Sequence, residues 1–244
     1  PVFMPFMTAG IPSEDQSLDV FRHLAADGAD AFELGIPYSD PLMDGEVIQA
    51  ASSHALAGGM TFLGGLDLAG RVATTTGKPV IVMTYVNPIL QAGAEVFAAE
   101  AAALGISGVI IADVPYEEAV SIKAALDEHG IGLALFVAPT TDEERLRAIA
   151  AAQPSFIYAV ADMGVTGRRE DVSGHLQGLV RRIRAITSVP IVLGVRNTTP
   201  EQAATAAGLA AGVIVGSSLV AEVLATGRPA SGAANSDAVH AAGR

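Results

Sequence analysis

Hydrophobic residues in this chain are gathered into short continuous runs rather than alternating with polar residues. Eight such runs follow one another along the sequence: Val2–Met7, Ala31–Leu34, Pro79–Thr84, Gly108–Ile111, Gly132–Val137, Phe156–Val160, Pro190–Leu193 and Gly212–Val215. A continuous apolar run predicts a strand that is buried on both faces, as in a parallel sheet.

Stretches with helical spacing separate these runs. They include a helix after Ser13 and helices predicted over Val47–Ala57, Tyr116–His129, Asp142–Ala151 and Pro200–Ala207. Eight strand–helix units predict an α/β protein with a single closed (β/α)8 TIM barrel over residues 1–226. The tail, residues 227–244, is predicted to be loosely ordered or part helical. A doubly wound open sheet is the alternative, but no GxGxxG motif follows the first run.

Composition narrows the classes of function. The formal net charge is -12 and the chain has no cysteine. An acidic surface argues against nucleic acid or an anionic membrane as a partner, and the lack of cysteine excludes disulfides and thiolate metal sites. No apolar run is long enough to span a bilayer, so we expect a soluble, cytoplasmic protein.

Glu33 interrupts the second apolar run with a charge that a buried strand rarely carries. Two interpretations stay open. Glu33 is either a structural acid with hydrogen-bonded partners, or a general acid/base whose pKa is raised by burial at the end of a strand.

Asp40 and Asp44 follow Glu33 in a loop broken by Pro37, Pro41 and Gly45. The active sites of TIM barrels lie at the carboxyl ends of the strands, where this loop falls. Capping of the following helix is a sufficient alternative explanation of Asp44.

Three glycine-rich turns are predicted at the ends of the last three strands. They are Gly164–Gly167, Gly194–Asn197 and Val215–Ser218. Glycine lets backbone N–H groups approach an anion closely, and barrels commonly bind phosphate after the seventh and eighth strands. The sequence therefore predicts a phosphate site there.

Several motifs together resemble the tryptophan synthase alpha chain family. In chain order they are PFMTAGIP, ELGIPYSDPLMDG, MTYVNPIL, IIADVPYEEA, APTTDEERL, GVTG, TPEQAA and GVIVGSSLV. The resemblance implies a lyase of tryptophan biosynthesis that cleaves indole-3-glycerol phosphate into indole and glyceraldehyde 3-phosphate. It implies no cofactor or metal on this chain, and a beta-chain partner that carries pyridoxal phosphate, in an α2β2 heterotetramer.

The resemblance also implies a role for individual residues. Glu33 would be the acid/base, and Asp44 would stabilise positive charge on the ring. Phe6, Met83 and Tyr158 would line the pocket of the ring. The phosphate would be held by backbone N–H groups of Gly167, Gly216 and Ser217. Thr166 would settle against Asp44 when the loop after the sixth strand closes over the substrate. The face toward the beta chain would include Asp40, the Pro37–Pro41 loop, Asp113 and Pro115.

The sequence departs from the family pattern at a few positions. Glu46 replaces a usual proline, Asp162-Met163 precede GVTG, and Arg196 stands where a second glycine is usual. Two interpretations of Arg196 stay open: its guanidinium binds the phosphate, or the ligand is different or the loop displaced. Three functions stay open: the alpha subunit of a two-chain synthase, a stand-alone lyase that releases free indole, and a non-catalytic chain that activates a partner.

Overall fold

The protein folds into a closed barrel of eight parallel strands, in the order β1-β2-β3-β4-β5-β6-β7-β8. The computed structural model describes residues 1–160, 169–195 and 199–242, with the backbone alone for 169–175. The predicted TIM barrel is thereby confirmed, and the open-sheet alternative is wrong.

The strands lie close to the predicted apolar runs. They are β1 Val2–Thr8, β2 Phe32–Gly35, β3 Val80–Thr84, β4 Gly108–Ile111, β5 Gly132–Val137, β6 Ile157–Val160, β7 Ile191–Val195 and β8 Gly212–Val215. All four residues of β2, of β4 and of β8 are buried. Burial on both faces explains why these strands read as continuous apolar runs.

Helices cover the outside of the barrel. They are α1 Glu14–Ala26, α2 Glu46–Ala57, α3 Phe62–Thr76, α4 Val86–Ala92, α5 Ala94–Ala103, α6 Val120–Glu128, α7 Glu143–Ala151, α8 Arg169–Arg184, α9 Pro200–Ala207, α10 Ser217–Thr226 and α11 Ala233–Ala242. Asp142 caps α7 through its side chain, and Thr199 forms a capping box with Gln202 at the start of α9.

One helix starts later than predicted. The helix expected from Tyr116 begins at Val120, because residues 116–118 form a turn in which Glu118 N donates to Pro115 O at 3.0 Å. The Tyr116 ring instead lies under the guanidinium of Arg145, 5.7 Å from the ring centroid.

The register of the strands fixes which residues face the barrel interior. Phe6 pairs with Glu33, and Gly35 pairs with Met83. Paired residues, and residues two apart in one strand, point to the same side of a sheet. The Glu33 carboxylate contacts Tyr158 of β6, on the far side of the barrel. These side chains therefore all face the interior.

The last helix, α11, is fastened to the loop between α1 and β2. Gly232 N donates to Asp27 Oδ2 at 2.8 Å, and His240 Nε2 lies 2.8 Å from Asp30 Oδ2. Ser236 Oγ donates to Gly28 O at 3.0 Å. The division of the chain into a barrel domain, 1–226, and a tail, 227–244, stays a prediction.

Candidate active site

Glu33 is a buried acid in an apolar setting. Its side chain is 2% exposed, and Tyr158 Oη donates to Glu33 Oε2 at 3.4 Å. The described part of the chain provides no arginine or lysine within ion-pair distance of it. A structural acid is expected to have such partners or several hydrogen bonds. Glu33 therefore lacks the ion-pair partners typical of a structural acid within the described residues, which makes it a candidate for proton transfer.

Burial governs the ionisation of Glu33. Loss of solvent is the main cause that raises its pKa from 4.5 to about 8; the negative charge of Asp44 acts in the same direction, and the Tyr158 hydrogen bond acts against both. The carboxyl group is therefore mostly protonated at neutral pH. Asp44 lies at the same mouth of the barrel, since it follows β2 in the chain and accepts a hydrogen bond from Tyr85, which directly follows the neighbouring strand β3.

Asp44 does not cap the helix that follows it. The N-cap of α2 is Gly45, and no side chain makes the cap hydrogen bond there. Asp44 Oδ2 instead accepts a hydrogen bond from Tyr85 Oη at 2.9 Å. The capping interpretation is therefore wrong in this structure, and the carboxylate is directed toward an aromatic side chain at the end of β3.

Tyr85 is a site residue for which the sequence analysis gave no role. Its side chain is 2% exposed, its ring stacks on Tyr38 at 4.8 Å between centroids, and its hydroxyl accepts from Met43 N at 3.2 Å. Burial is the main cause that raises the pKa of Tyr85, and the negative charge of Asp44 is the second. The phenol therefore stays protonated and donates its hydrogen bond to Asp44. The sequence did offer one indication that Tyr85 belongs to the site: within MTYVNPIL it comes directly after a barrel strand, where TIM-barrel active sites lie.

The predicted ring-binding residues line one inner surface. The Phe6 ring lies against Gly35, where an added Cβ would come within 2.6 Å of Phe6 Cζ. Tyr158 stacks on Phe136 with ring centroids 4.9 Å apart. Met83 pairs with Gly35 beside this surface. The structure thus brings Phe6, Met83 and Tyr158 together around Glu33.

Gly194 lies in a strand rather than in a turn. Strand β7 continues to Val195, two residues beyond the predicted end, and Gly194 pairs with Val160 and Ile214. An added Cβ would come within 2.4 Å of Tyr158 Cε2. Glycine at position 194 therefore makes room for the Tyr158 ring, which is a reason different from the predicted phosphate contact.

Gly216 and Ser217 begin a helix at the same end of the barrel. Gly216 directly follows β8 and is the N-cap of α10, whose first residue is Ser217. A helix N-terminus presents free N–H groups and a positive dipole end to an anion. Gly167 and Arg196, which were predicted to complete the phosphate site, lie outside the described residues, as do Asp162, Met163 and Thr166, the last of which was predicted to settle against Asp44 when its loop closes.

Comparison with known proteins decides the family. The model of the tryptophan synthase alpha chain family matches residues 1–241. The chain belongs to the tryptophan synthase alpha chain family. The alpha chain of Geobacter sulfurreducens is 44% identical over 215 residues, which cover 88% of this chain and 81% of that protein. The alpha chain of Gloeobacter violaceus is 44% identical over 228 residues, covering 93% and 82%.

Solved structures of the tryptophan synthase family share the fold. The alpha subunit from Legionella pneumophila superposes with a TM-score of 0.88 at 33% identity, covering 98% of this chain and 93% of that chain. Tryptophan synthase from Mycobacterium tuberculosis gives a TM-score of 0.87 at 36% identity, covering 98% and 92%.

Family membership establishes the reaction class. The chain is a carbon–carbon lyase of tryptophan biosynthesis that cleaves indole-3-glycerol phosphate. In this family the alpha chain carries no cofactor itself, since pyridoxal phosphate belongs to the beta chain with which it works. No helix within the described residues is both long and apolar enough to cross a membrane.

One departure from the family pattern has a local explanation. Glu46, which replaces a usual proline, is the first residue of α2 and is exposed. A carboxylate in the first turn interacts favourably with the helix dipole, so the helix can start there without proline.

Proposed function

We propose that Glu33 is the general acid/base of indole-3-glycerol phosphate cleavage. The carbon–carbon bond to the ring breaks only after the ring carbon that carries the glycerol chain has been protonated. The hydroxyl next to the ring must then lose its proton as the aldehyde forms. A single carboxyl group near both atoms can donate the first proton and accept the second, and it works best with a pKa near the ambient pH. The observation that carries this role is the burial of Glu33, 2% exposed, on the inner face of the barrel beside Tyr158. Burial raises its pKa to about 8, which suits the role.

Asp44 would stabilise the positive charge that develops on the protonated ring. A carboxylate near the ring nitrogen in a site poor in water is worth a few kcal/mol, or about a hundredfold in rate. The 2.9 Å hydrogen bond from Tyr85 supports this role, because it holds Asp44 Oδ2 in one orientation before the charge appears. Tyr85 acts through Asp44 and is therefore a positioning residue.

The remaining site residues would bind the two ends of the substrate. The apolar surface of Phe6, Met83 and Tyr158 fits the flat indole ring. The start of α10, at Gly216 and Ser217, fits the phosphate. Gly167 and Arg196 remain proposed members of the phosphate site, and Thr166 remains the proposed residue of the closing loop that settles against Asp44.

We further propose that the chain works in the cytoplasm as the alpha subunit of an α2β2 heterotetramer with a beta chain. The face of Asp40, the Pro37–Pro41 loop, Asp113 and Pro115 would meet that partner. Two apolar side chains next to this loop are strongly exposed, Leu42 at 87% and Met43 at 59%. Exposed apolar surface of this kind favours a partner, although exposed residues that stand singly need no such explanation.

A comparison of indole release with and without a beta chain tests the three candidate functions. The purified chain is mixed with indole-3-glycerol phosphate, and indole is measured over time. Activity that depends on the partner supports the alpha subunit. Strong activity of the chain alone supports the stand-alone lyase, and no activity in either mixture would refute the proposed catalysis.

The Glu33→Gln variant tests the acid/base assignment. Because glutamine cannot transfer the proton, turnover should fall at least about a hundredfold while the substrate still binds. Glu144→Gln is the matched control, since Glu144 is exposed and lies on the outer helix α7. Turnover of Glu33→Gln at the wild-type rate would exclude Glu33 as the acid/base.

A further inference from the structure

Thr8 carries a buried hydroxyl without a hydrogen-bond partner. Its side chain is 1% exposed, and within the described residues Thr8 Oγ1 has no donor or acceptor in range. A hydroxyl buried in this way lowers stability, because its hydrogen bonds to water are lost and not replaced. Such a group calls for an explanation, and a bound ligand is one that supplies the missing partner.

The register places Thr8 on the inner face of the barrel. It is the last residue of β1 and pairs with Gly35, while Phe6, two residues earlier, pairs with Glu33. Residues two apart in a strand share a face, so Thr8 lies on the same side as Phe6 and one step nearer the mouth. Its position is diagonal to Glu33 across the β1–β2 pair.

Strand order places Thr8 between the two ends of the proposed substrate site. Strand β1 lies between β2 and β8 in the closed barrel. The loop after β2 carries Asp44, which is proposed to face the ring nitrogen, and β8 leads into Gly216 at the proposed phosphate site. A substrate that spans from Asp44 to Gly216 passes the carboxyl end of β1 with its glycerol chain.

We propose that Thr8 is a substrate-specificity residue that hydrogen-bonds the glycerol hydroxyl nearer the phosphate. Glu33 accepts the proton of the hydroxyl next to the ring, whereas the second hydroxyl keeps its proton and needs a polar partner. Phe6 and Met83 have no donor or acceptor suited to it. This inference rests on the proposed function, because it takes the orientation of the substrate from the roles of Asp44 and Gly216.

The Thr8→Val variant removes the hydroxyl at nearly constant volume. Indole release should fall about tenfold in kcat/KM, the usual effect of one lost hydrogen bond. Affinity for glycerol 3-phosphate, which keeps the hydroxyls, should weaken by a similar factor, while affinity for inorganic phosphate and for indole stays within about twofold. Thr8→Ser, which keeps the hydroxyl, should restore glycerol 3-phosphate binding.

The melting temperature supplies a readout that separates a binding role from a structural one. Thr8→Val should melt at or above the wild-type temperature, because it relieves an unpartnered hydroxyl. Thr84→Val is the matched control, because Thr84 is also 1% exposed and is the last residue of β3. Its neighbour Met83 faces the barrel interior, so the Thr84 side chain lies on the outer face of the sheet. This control should leave the binding of all three probes unchanged.

Other results would overturn the inference. Wild-type binding of glycerol 3-phosphate by Thr8→Val would remove the proposed contact, and equal weakening for inorganic phosphate would point to a distorted site. A melting temperature several degrees lower would show that the hydroxyl has a structural partner. Failure of the proposed function is distinguishable, because it would appear as absent indole release by the wild-type protein both with and without a beta chain.

Discussion

Replacement of Glu33 by glutamine should change how the stability of the protein depends on pH. The pKa of Glu33 is raised from 4.5 to about 8 in the folded state. A group with a raised folded pKa binds more protons in the folded than in the unfolded chain, so its stabilising effect is full below pH 4.5 and is lost as pH rises through 8. A glutamine side chain at this position stays neutral and shows no such loss.

The size of this effect follows from the two pKa values. Each pH unit between them changes the free energy of unfolding by about 1.4 kcal/mol, so the total is of the order of 5 kcal/mol. Between pH 5 and pH 8 the Glu33 contribution should fall by about 3–4 kcal/mol. This change is a large part of the free energy of unfolding of a typical domain, which is about 5–15 kcal/mol.

Urea unfolding at pH 5, 6, 7 and 8 measures this contribution. Other groups titrate in both proteins, so the quantity of interest is the difference between wild type and Glu33→Gln at each pH. That difference should shift in favour of the variant by about 3–4 kcal/mol from pH 5 to pH 8. The Glu144→Gln control should show no shift of this size. Parallel curves for wild type and Glu33→Gln would mean that the pKa of Glu33 is not raised.

Two further substitutions test how the site is held together. Tyr85→Phe removes the hydroxyl that donates to Asp44 at 2.9 Å. The kcat should therefore fall about tenfold with little change in KM. An unchanged kcat would show that Asp44 does not need this hydrogen bond. Gly194→Ala places a Cβ within 2.4 Å of the Tyr158 ring, so the melting temperature and indole affinity should both fall. In the control Gly178→Ala, open space surrounds the added atom within α8, so indole affinity should stay unchanged and the melting temperature should stay the same or rise.

The sequence predicts the barrel well because its signals are local. A continuous apolar run such as Gly108–Ile111 is short enough to be a strand and too apolar to have an exposed face, and the structure gives it the predicted bounds. The helix over Pro200–Ala207 also has the predicted bounds, since Thr199, Pro200 and Gln202 form a strong start signal within four residues. Local chemistry fixes both ends of these elements.

Features that depend on contacts between residues far apart in the sequence were missed or misinterpreted. The hydrogen bond between Tyr85 and Asp44 joins residues 41 positions apart, and nothing in the loop of Asp44 distinguishes this contact from helix capping. Strand β7 continues through Gly194 because Gly194 pairs with residues of both neighbouring strands. In the sequence alone, a glycine at the end of an apolar run indicates a turn and gives no sign of this pairing. The burial of Glu33 was predictable as an anomaly, but its hydrogen bond with Tyr158, 125 positions away, was not.

The glycines of the barrel interior connect these observations. Gly35, Gly194 and Gly216 each lie against an aromatic ring, and in each case an added Cβ would approach that ring or its stem within 2.4–3.1 Å. Without these gaps the rings of Phe6 and Tyr158 would have to leave the surface beside Glu33. The rings of Phe6 and Tyr158 contribute to the burial of Glu33, and burial is the main cause of its raised pKa. Glycine at these positions therefore supports the proposed proton transfer through the packing of aromatic side chains.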